Sequence, residues 1–266
     1  MQIELEPKHT QWDLKWRMFG IPVRVHPLFW LIALLLAYQE NLEFKFVLLG
    51  IGCMFFSILL HELGHALCQR YYGDHENRVV LYTLGGLAIG RREAGVWPRI
   101  AVLLWGPGAM LLLAAVVYAI GAPQYGVKFP LMAFSSMGQY AVLVLFWVNV
   151  VWGIMNLLPV FPLDGGQIMR ELVGWKAPRR GDAFAFKISF YAAVAIVLLA
   201  VAKALSPYRS GNALNDLVPI FLFGLLAYQS FALRRQILLY GDMEEQDDGP
   251  RQPWEQDADW WKRGGR

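Results

Sequence analysis

The chain has 266 residues, of which 56% are hydrophobic and only 17% are charged. Soluble domains carry about 25% charged residues, whereas here Ile100–Ile120 and Phe129–Leu163 contain none. Since a helix that crosses a bilayer needs about 20 apolar residues, the composition excludes an ordinary soluble domain and indicates a polytopic membrane protein. The net charge of +3 gives no indication of a nucleic-acid partner.

Short strands are predicted at two places in the chain. Residues 15–26 alternate around a glycine, which is typical of a strand or hairpin. Residues 78–92 mix β-branched and aromatic residues with Gly85 and Gly86, and they predict a second strand or hairpin. The N-terminal residues lack the short apolar core of a cleavable signal peptide, so the first spanning helix is expected to direct insertion.

Six apolar segments are predicted to span the bilayer: residues 27–40, 46–72, 99–121, 136–158, 184–204 and 213–233. Alternate hydrophilic segments then hold 20 of the 24 Lys and Arg residues: 1–26, 70–99, 160–187 and 231–266. Because basic residues concentrate in cytosolic loops, this distribution predicts that both termini are cytosolic. The predicted fold is an all-α membrane protein of about six transmembrane helices, with short β-strands or hairpins on the cytosolic side.

These features divide the chain into three parts. Residues 1–26 form a cytosolic segment with short strands, and residues 27–235 form a six-helix membrane core. Residues 236–266 form a polar cytosolic tail that is predicted to be disordered, since its composition offers little to bury.

The second predicted span carries a His-Glu-x-x-His motif. His61 and His65 share one helix face because they are four residues apart, and two imidazoles so placed can bind one zinc ion with Glu62 as general base. Ionisable residues inside a bilayer are costly and are usually functional. The alternative is a polar cluster that holds helices together.

A catalytic zinc ion takes a third protein ligand, and the sequence offers Cys68, His75, Glu76 and Asp164. Cys68 is on the same helix as the histidines and also fits a small packing residue. Asp164 lies in "NLLPVFPLDGG", where prolines end the fourth span. Irregular backbone at membrane depth must be buried in protein or line a watery cavity, which favours Asp164, although Asp-Gly is also common in simple turns.

The chain resembles the site-2 protease family of intramembrane zinc metalloproteases. "HELGH" and "NLLPVFPLDGG" match its two main motifs, "GPG" at 106–108 and "LGGLAIG" at 84–90 match softer ones, and the resemblance covers about residues 16–235. It implies that His61, His65 and Asp164 bind one Zn²⁺ per chain and that Glu62 activates a water molecule. It also implies hydrolysis of peptide bonds in or near transmembrane segments of other proteins, in a bacterial or archaeal cell membrane.

Two further roles concern the substrate. Asn156 is expected to hydrogen-bond the substrate backbone or the oxyanion, with helix–helix contact as the alternative. An unwound substrate can add as a strand to an exposed sheet edge, and the alternative is a simple re-entrant hairpin. The residues predicted to bind substrate in this way are Tyr82, Leu84, Gly85, Gly86 and Leu87, together with Asn156.

Three other classes of function compete with a site-2 protease. The first is a catalytically silent protein that binds membrane helices and carries a structural zinc site. The second is a zinc transporter, which would need ligands along several spans, and the third is a prenyl-protein protease, which resembles soluble zincins in taking a glutamate as third ligand. The loops are too short for a PDZ domain and the tail is too short for a CBS domain, so a minimal membrane core is expected. Nothing in the sequence specifies an oligomeric state.

Overall fold

The computed structural model describes residues 7–38, 42–83, 85–91, 93–127, 134–177, 181–206 and 213–247. The strands are β1 (Leu14–Met18), β2 (Ile21–Val25), β3 (Arg78–Tyr82) and β4 (Gly85–Ile89). The helices are α1 (Pro27–Ala37), α2 (Phe44–Tyr71), α3 (Val96–Val116), α4 (Ala122–Tyr125), α5 (Met137–Asn156), α6 (Asp164–Lys176), α7 (Gly181–Leu205) and α8 (Ala213–Asp247), with a π-helical segment, Val117–Gly121, joining α3 to α4. The chain divides into two compact units, Met1–Leu172 and Val173–Arg266.

The four strands form one sheet in the order β1-β2-β3-β4. The outer pairs are antiparallel hairpins, as the sequence predicts, while β2 and β3 are parallel. A parallel pair needs a long crossover, which α1 and α2 provide. One face of the sheet is apolar and packs against α1 and α2 in a buried cluster that includes Val23, Val79, Leu81, Ile58 and Leu63. The sheet is therefore attached along the half of α2 that carries the histidines.

The predicted class of a helical membrane protein with short strands is confirmed. Within the described residues, five helical segments are long and apolar enough to cross a membrane: Phe44–Tyr71, Val96–Tyr125, Met137–Asn156, Gly181–Leu205 and Leu217–Leu239. In the described part of the predicted span 27–40, residues 27–38, the helix is the 11-residue α1. At 1.5 Å per residue this helix is about 16 Å long, about half of a hydrocarbon core of about 30 Å.

Hydrogen bonds join the polar C-terminal end of α2 to the sheet. Arg70 donates hydrogen bonds to the carbonyl oxygens of Phe19 and Gly20, at 2.7 and 2.9 Å, in the turn between β1 and β2. Asn77 is fully buried just before β3 and donates to the carbonyl oxygen of Ala66. Both hairpins are thus tied by side chains to the last turns of α2.

Helix α5 ends at Asn156, three residues before Pro159, and the chain turns sharply into α6, a helix that the sequence analysis did not predict. Gly165 and Gly166 make this turn possible. A Cβ atom on Gly165 would overlap the carbonyl oxygen of Leu157, and one on Gly166 would overlap the backbone of Val160. The first turn of α6, which begins with Asp164, can therefore lie against the end of α5.

The second unit contains the helix pair α7 and α8. The hydroxyl groups of Ser189 and Ser230 lie 2.7 Å apart in its interior, and both residues are fully buried. Helix α8 continues to Asp247, which is well inside the segment that the sequence analysis assigns to the polar tail. Residues 248–266 of that tail lie outside the described residues.

Candidate metal centre

Three potential ligand atoms converge where α2 meets the start of α6. The Nε2 atoms of His61 and His65 lie 3.1 Å apart, and Oδ2 of Asp164 lies 3.3 Å from the first and 3.4 Å from the second. All three residues are buried. Among the residues that the structure describes, they are the group of His, Cys, Asp or Glu side chains that is able to hold a metal ion. We call these three residues the ligand triangle.

The ligand triangle has the dimensions of a zinc site. Zinc binds imidazole nitrogen and carboxylate oxygen at about 2.0–2.2 Å in tetrahedral geometry, which places neighbouring ligand atoms about 3.3–3.6 Å apart. The observed separations of 3.1, 3.3 and 3.4 Å correspond to one face of such a tetrahedron. The side chains present therefore fit a zinc ion, with a fourth position for water as in catalytic sites.

His65 is oriented by a hydrogen bond from a neighbouring helix. Its Nδ1 lies 2.7 Å from the carbonyl oxygen of Val102 in α3. Because a carbonyl oxygen can only accept, Nδ1 carries the proton and Nε2 keeps its lone pair for a metal ion. In contrast, the Nδ1 of His61 is buried and has no hydrogen-bond partner among the described residues.

Helix α3 also packs its backbone against the His65 ring at Gly106. A Cβ atom at this position would overlap the ring, with Cδ2 only 2.8 Å away and two other ring atoms still closer. Gly108, two residues later, would meet nothing within 4 Å. The first of these glycines is therefore required by the position of a ligand, and the second is not.

Asp164 reaches the histidines because it is the first residue of α6. A carboxylate at a helix N-terminus is stabilised by the free backbone N–H groups and by the helix dipole. Its Oδ2 atom is buried and has no hydrogen-bond partner among the described residues, although both imidazoles lie close to it. An acceptor held in this way beside two nitrogen lone pairs is suited to a cation.

Glu62 lies beside the ligand triangle and contacts β4. Its carboxyl group occupies the space that a Cβ atom on Gly86 would need, and it interacts with the backbone of Ala88. It also interacts electrostatically with all three members of the triangle. The structure thus brings together the four residues that the sequence singled out most strongly: His61, Glu62, His65 and Asp164.

Comparison with known proteins agrees with this geometry. Residues 130–200 match the model for Peptidase family M50, a segment that includes Asp164. A putative zinc metalloprotease of Synechocystis sp. is 32% identical over 170 residues, which cover 59% of this chain and 42% of that protein. The putative zinc metalloprotease Rip3 of Mycobacterium tuberculosis is 34% identical over 164 residues, which cover 59% of this chain and 40% of that protein. Part of the chain thus matches peptidase family M50, and about 59% of the chain is similar to proteins named putative zinc metalloproteases.

The fold of the chain is that of a site-2 protease. The solved site-2 protease of Methanocaldococcus jannaschii aligns with 83% of this chain and 94% of its own length, with a TM-score of 0.56 and 20% identity. The predicted resemblance is therefore confirmed. The chain spans less than half the length of the two curated relatives described above.

The contacts of the other predicted residues are with groups outside the triangle. The Asn156 amide is buried and donates to the carbonyl oxygen of Trp152 on its own helix, at 3.0 Å. Tyr82 packs edge-on against the ring of His26. Gly85 and Leu87 are half-buried in β4, and Leu84 lies outside the described residues. Cys68, His75 and Glu76, which were open as third ligands, are not part of the triangle.

Sequence reasoning missed the backbone groups that hold this candidate metal site. Val102 contributes its carbonyl oxygen and Ala88 its backbone, so neither side chain signals the role. Gln69 was also missed, and its Nε2 donates to the carbonyl oxygen of Ala88 at 3.4 Å. Its position seven residues after Glu62, on the same face of α2, was the available signal.

Proposed function

We propose that this chain is a zinc-dependent intramembrane endopeptidase that hydrolyses peptide bonds in or near transmembrane segments of other membrane proteins. The observation that carries the proposal is a buried ligand triangle of tetrahedral dimensions with Glu62 beside it. The curated relatives named as zinc metalloproteases support the same activity. The five apolar helices support a location in the bilayer, where the substrates would be found.

One zinc ion per chain, held by His61, His65 and Asp164, would polarise a water molecule and the substrate carbonyl group. Glu62 then acts as general base. Its carboxylate borders the triangle without being one of the proposed ligands, so it can accept a proton and later release it. It takes a proton from the attacking water and delivers it to the leaving amine. The hydrogen bond from His65 to Val102 keeps the ligating nitrogen aimed at the same point throughout.

Asn156 is the proposed donor to the substrate backbone or to the oxyanion. It lies at the end of α5, eight residues before Asp164, and one of its N–H bonds goes to the carbonyl oxygen of Trp152. The amide has a second N–H group. That second donor is the group that would meet a substrate.

The edge of β4 is the proposed place for an extended substrate. The backbone N–H of His26, just after β2, donates to the carbonyl oxygen of Leu81, so the polar backbone groups of Leu81 face β2 and not β4. Gly86 is the residue of β4 opposite Leu81. In such a non-hydrogen-bonded antiparallel pair, the N–H and C=O groups of Gly86 point to the open edge of the sheet. Ala88 does the same two residues later, and its carbonyl oxygen accepts a hydrogen bond from Gln69. Gly86 is therefore the position next to Glu62 where a second backbone can pair.

The orientation of the chain is also a proposal. Both termini are expected in the cytosol of a bacterial or archaeal cell, because 20 of the 24 basic residues then lie on the cytosolic side. The cytosolic segment would then be residues 1–26, the membrane core residues 27–235 and the polar cytosolic tail residues 236–266. In this arrangement the site would lie towards the cytosolic side of the bilayer, near both cytosolic water and the transmembrane segments of substrates.

Removal of zinc tests the proposal directly. The purified chain in detergent, incubated with a model peptide containing one transmembrane segment, is expected to cleave it, to lose that activity on treatment with a chelator and to recover it with added Zn²⁺. The measurement is cleavage by mass spectrometry together with zinc content. A protein that holds stoichiometric zinc and binds the peptide without cleaving it would instead be the alternative, a catalytically silent helix-binding protein with a structural zinc site.

Substitution of Gly86 by alanine is expected to slow cleavage about 10²-fold or more, which is the scale on which a general base contributes to the rate. Zinc content is expected to stay unchanged. The added Cβ atom would overlap the Glu62 carboxyl group and displace the base, since the three atoms nearest to it all belong to Glu62. Gly52→Ala in α2 is the matched control, because a Cβ atom there meets nothing within 4 Å and the residue lies outside the proposed substrate strand. Equal cleavage by both variants would contradict the placement of Glu62 against β4.

A further inference from the structure

Asn149 is a fully buried amide in the apolar interior of α5. Its Nδ2 donates to Oγ of Ser57 in α2 at 2.8 Å and to the carbonyl oxygen of Leu145 at 2.7 Å. The reverse orientation of the amide would place its oxygen against the Leu145 carbonyl oxygen, so the assignment of oxygen and nitrogen follows from the contacts. Both N–H groups of Asn149 are therefore used.

The Oδ1 atom of Asn149, in contrast, is buried and has no hydrogen-bond partner among the residues that the structure describes. Buried polar atoms in native proteins are nearly always paired, with protein or with ordered water. The hydrogen bond to Ser57 accounts for the amide nitrogen but not for this oxygen. The oxygen thus needs a donor from a nearby group.

A donor that lacks an acceptor is present on the facing helix. His61 needs a proton on Nδ1 if Nε2 is to bind a metal ion, and this Nδ1 is buried without a hydrogen-bond partner in the described part of the chain. Histidine ligands almost always donate that second N–H to a carboxylate, a carbonyl group or water. The Nδ1–H of His65 follows this rule by donating to the Val102 carbonyl oxygen, whereas no acceptor for the Nδ1–H of His61 is found among the described residues.

The Asn149–Ser57 hydrogen bond and His61 lie on neighbouring turns of one face of α2. Ser57 precedes His61 by four residues, so both side chains are on one face of α2 and about 6 Å apart along its axis. Helical side chains lean towards the N-terminus, which brings the His61 ring over the turn where Asn149 is bonded to Ser57. One water molecule making two hydrogen bonds of about 2.8–3.0 Å joins polar atoms up to about 6 Å apart.

We propose that Asn149 is a positioning residue for His61, whose Nδ1–H it accepts through one buried water molecule. The inference rests on the proposed zinc site and adds to it a residue that lies outside both sequence motifs. A purely structural role would make Asn149 a hydrogen-bonded link between α2 and α5. The two roles differ in what happens to zinc when the amide oxygen is lost.

The test compares zinc affinity of the whole chain in detergent, by competition with a chelator, in the wild type, Asn149→Leu and Ser57→Ala. Both variants lose the same hydrogen bond between helices, but only Asn149→Leu loses the acceptor oxygen. We expect Asn149→Leu to weaken zinc binding about 10- to 100-fold and Ser57→Ala to change it by less than about threefold. Equal affinity in the wild type and Asn149→Leu, or an equal loss in both variants, overturns the proposal.

A spectroscopic measurement and a second variant complete the test. In the Co²⁺-loaded protein, the visible absorption of the metal is expected to shift in Asn149→Leu and to stay in place in Ser57→Ala. Asn149→Asp, as the neutral acid that burial favours, keeps an acceptor oxygen and one O–H donor for the Leu145 carbonyl oxygen. It is expected to keep zinc affinity within about threefold of the wild type. A loss of tenfold or more in Asn149→Asp contradicts the proposal even if Asn149→Leu does not fold. A wild type that binds no zinc overturns the proposed metal site as well, whereas a zinc-binding wild type matched by Asn149→Leu overturns this inference alone.

Discussion

Glu62→Gln is expected to lose peptide hydrolysis by about 10²- to 10⁴-fold while it retains zinc, because a glutamine amide has the shape of the carboxylate but cannot take a proton from water. Glu62 is not a member of the ligand triangle, although it interacts electrostatically with all three members. The loss should therefore fall on the chemical step and not on metal binding. The measurement pairs the cleavage rate of a model transmembrane peptide with zinc content by atomic absorption.

The control for this variant is Glu76→Gln, the same change at an exposed site. Glu76 pairs on the surface with Arg91, and its side chain is 79% exposed, so its neutralisation should leave both cleavage and zinc content near wild-type values. Unchanged cleavage in Glu62→Gln would show that another group is the base. Loss of zinc together with activity would show that Glu62 holds the metal ion or the fold of the site.

The ligands could be predicted from the sequence because each is marked by a local pattern. His61 and His65 share a helix face by their spacing, and Asp164 follows a proline-rich break in an apolar helix. These signals depend on side chains and on short-range geometry. The convergence of the three atoms to within 3.1–3.4 Å is the part that required the structure.

The elements that were not predicted are those whose local pattern is ambiguous. Helix α6 lies in a charged stretch that also fits a cytosolic loop, and it is stabilised by its contact with the end of α5 at Gly165 and Gly166. Helix α1 is apolar enough to be predicted as a span, but its helical part ends at Ala37. In both segments, tertiary contacts or backbone conformation decided the outcome, and hydropathy alone did not.

The supporting groups were hidden for a different reason. Val102 acts through its carbonyl oxygen, and Gly106 acts through the absence of a side chain, so residue type gives little information about either role. Both lie on α3, which contributes no ligand. The orientation of His65 therefore depends on α3. In the sequence of that helix, the Gly-Pro-Gly segment at 106–108 is the one feature that indicated a functional role.

This dependence leads to the second large expected effect. Gly106→Ala is expected to weaken zinc binding by more than about 100-fold, beyond the 10- to 100-fold range typical of losing an outer hydrogen-bond partner, because the new methyl group would occupy the space of the His65 ring and displace the ligand itself. In a helix, alanine is more favourable than glycine by about 1 kcal/mol. A change in helix propensity therefore cannot account for a loss of zinc affinity. The measurement is chelator competition, with cleavage of the model peptide expected to fall in parallel.

Gly108→Ala is the matched control on the same helix, since a Cβ atom at that position meets nothing within 4 Å. It gains the same helix propensity and flanks the same Pro107, but it is expected to bind zinc and cleave as the wild type does. Zinc affinity that is equal in the two variants would contradict the close packing of α3 on His65. A loss in Gly106→Ala alone would show that α3 sets the position of the metal ligand through its backbone.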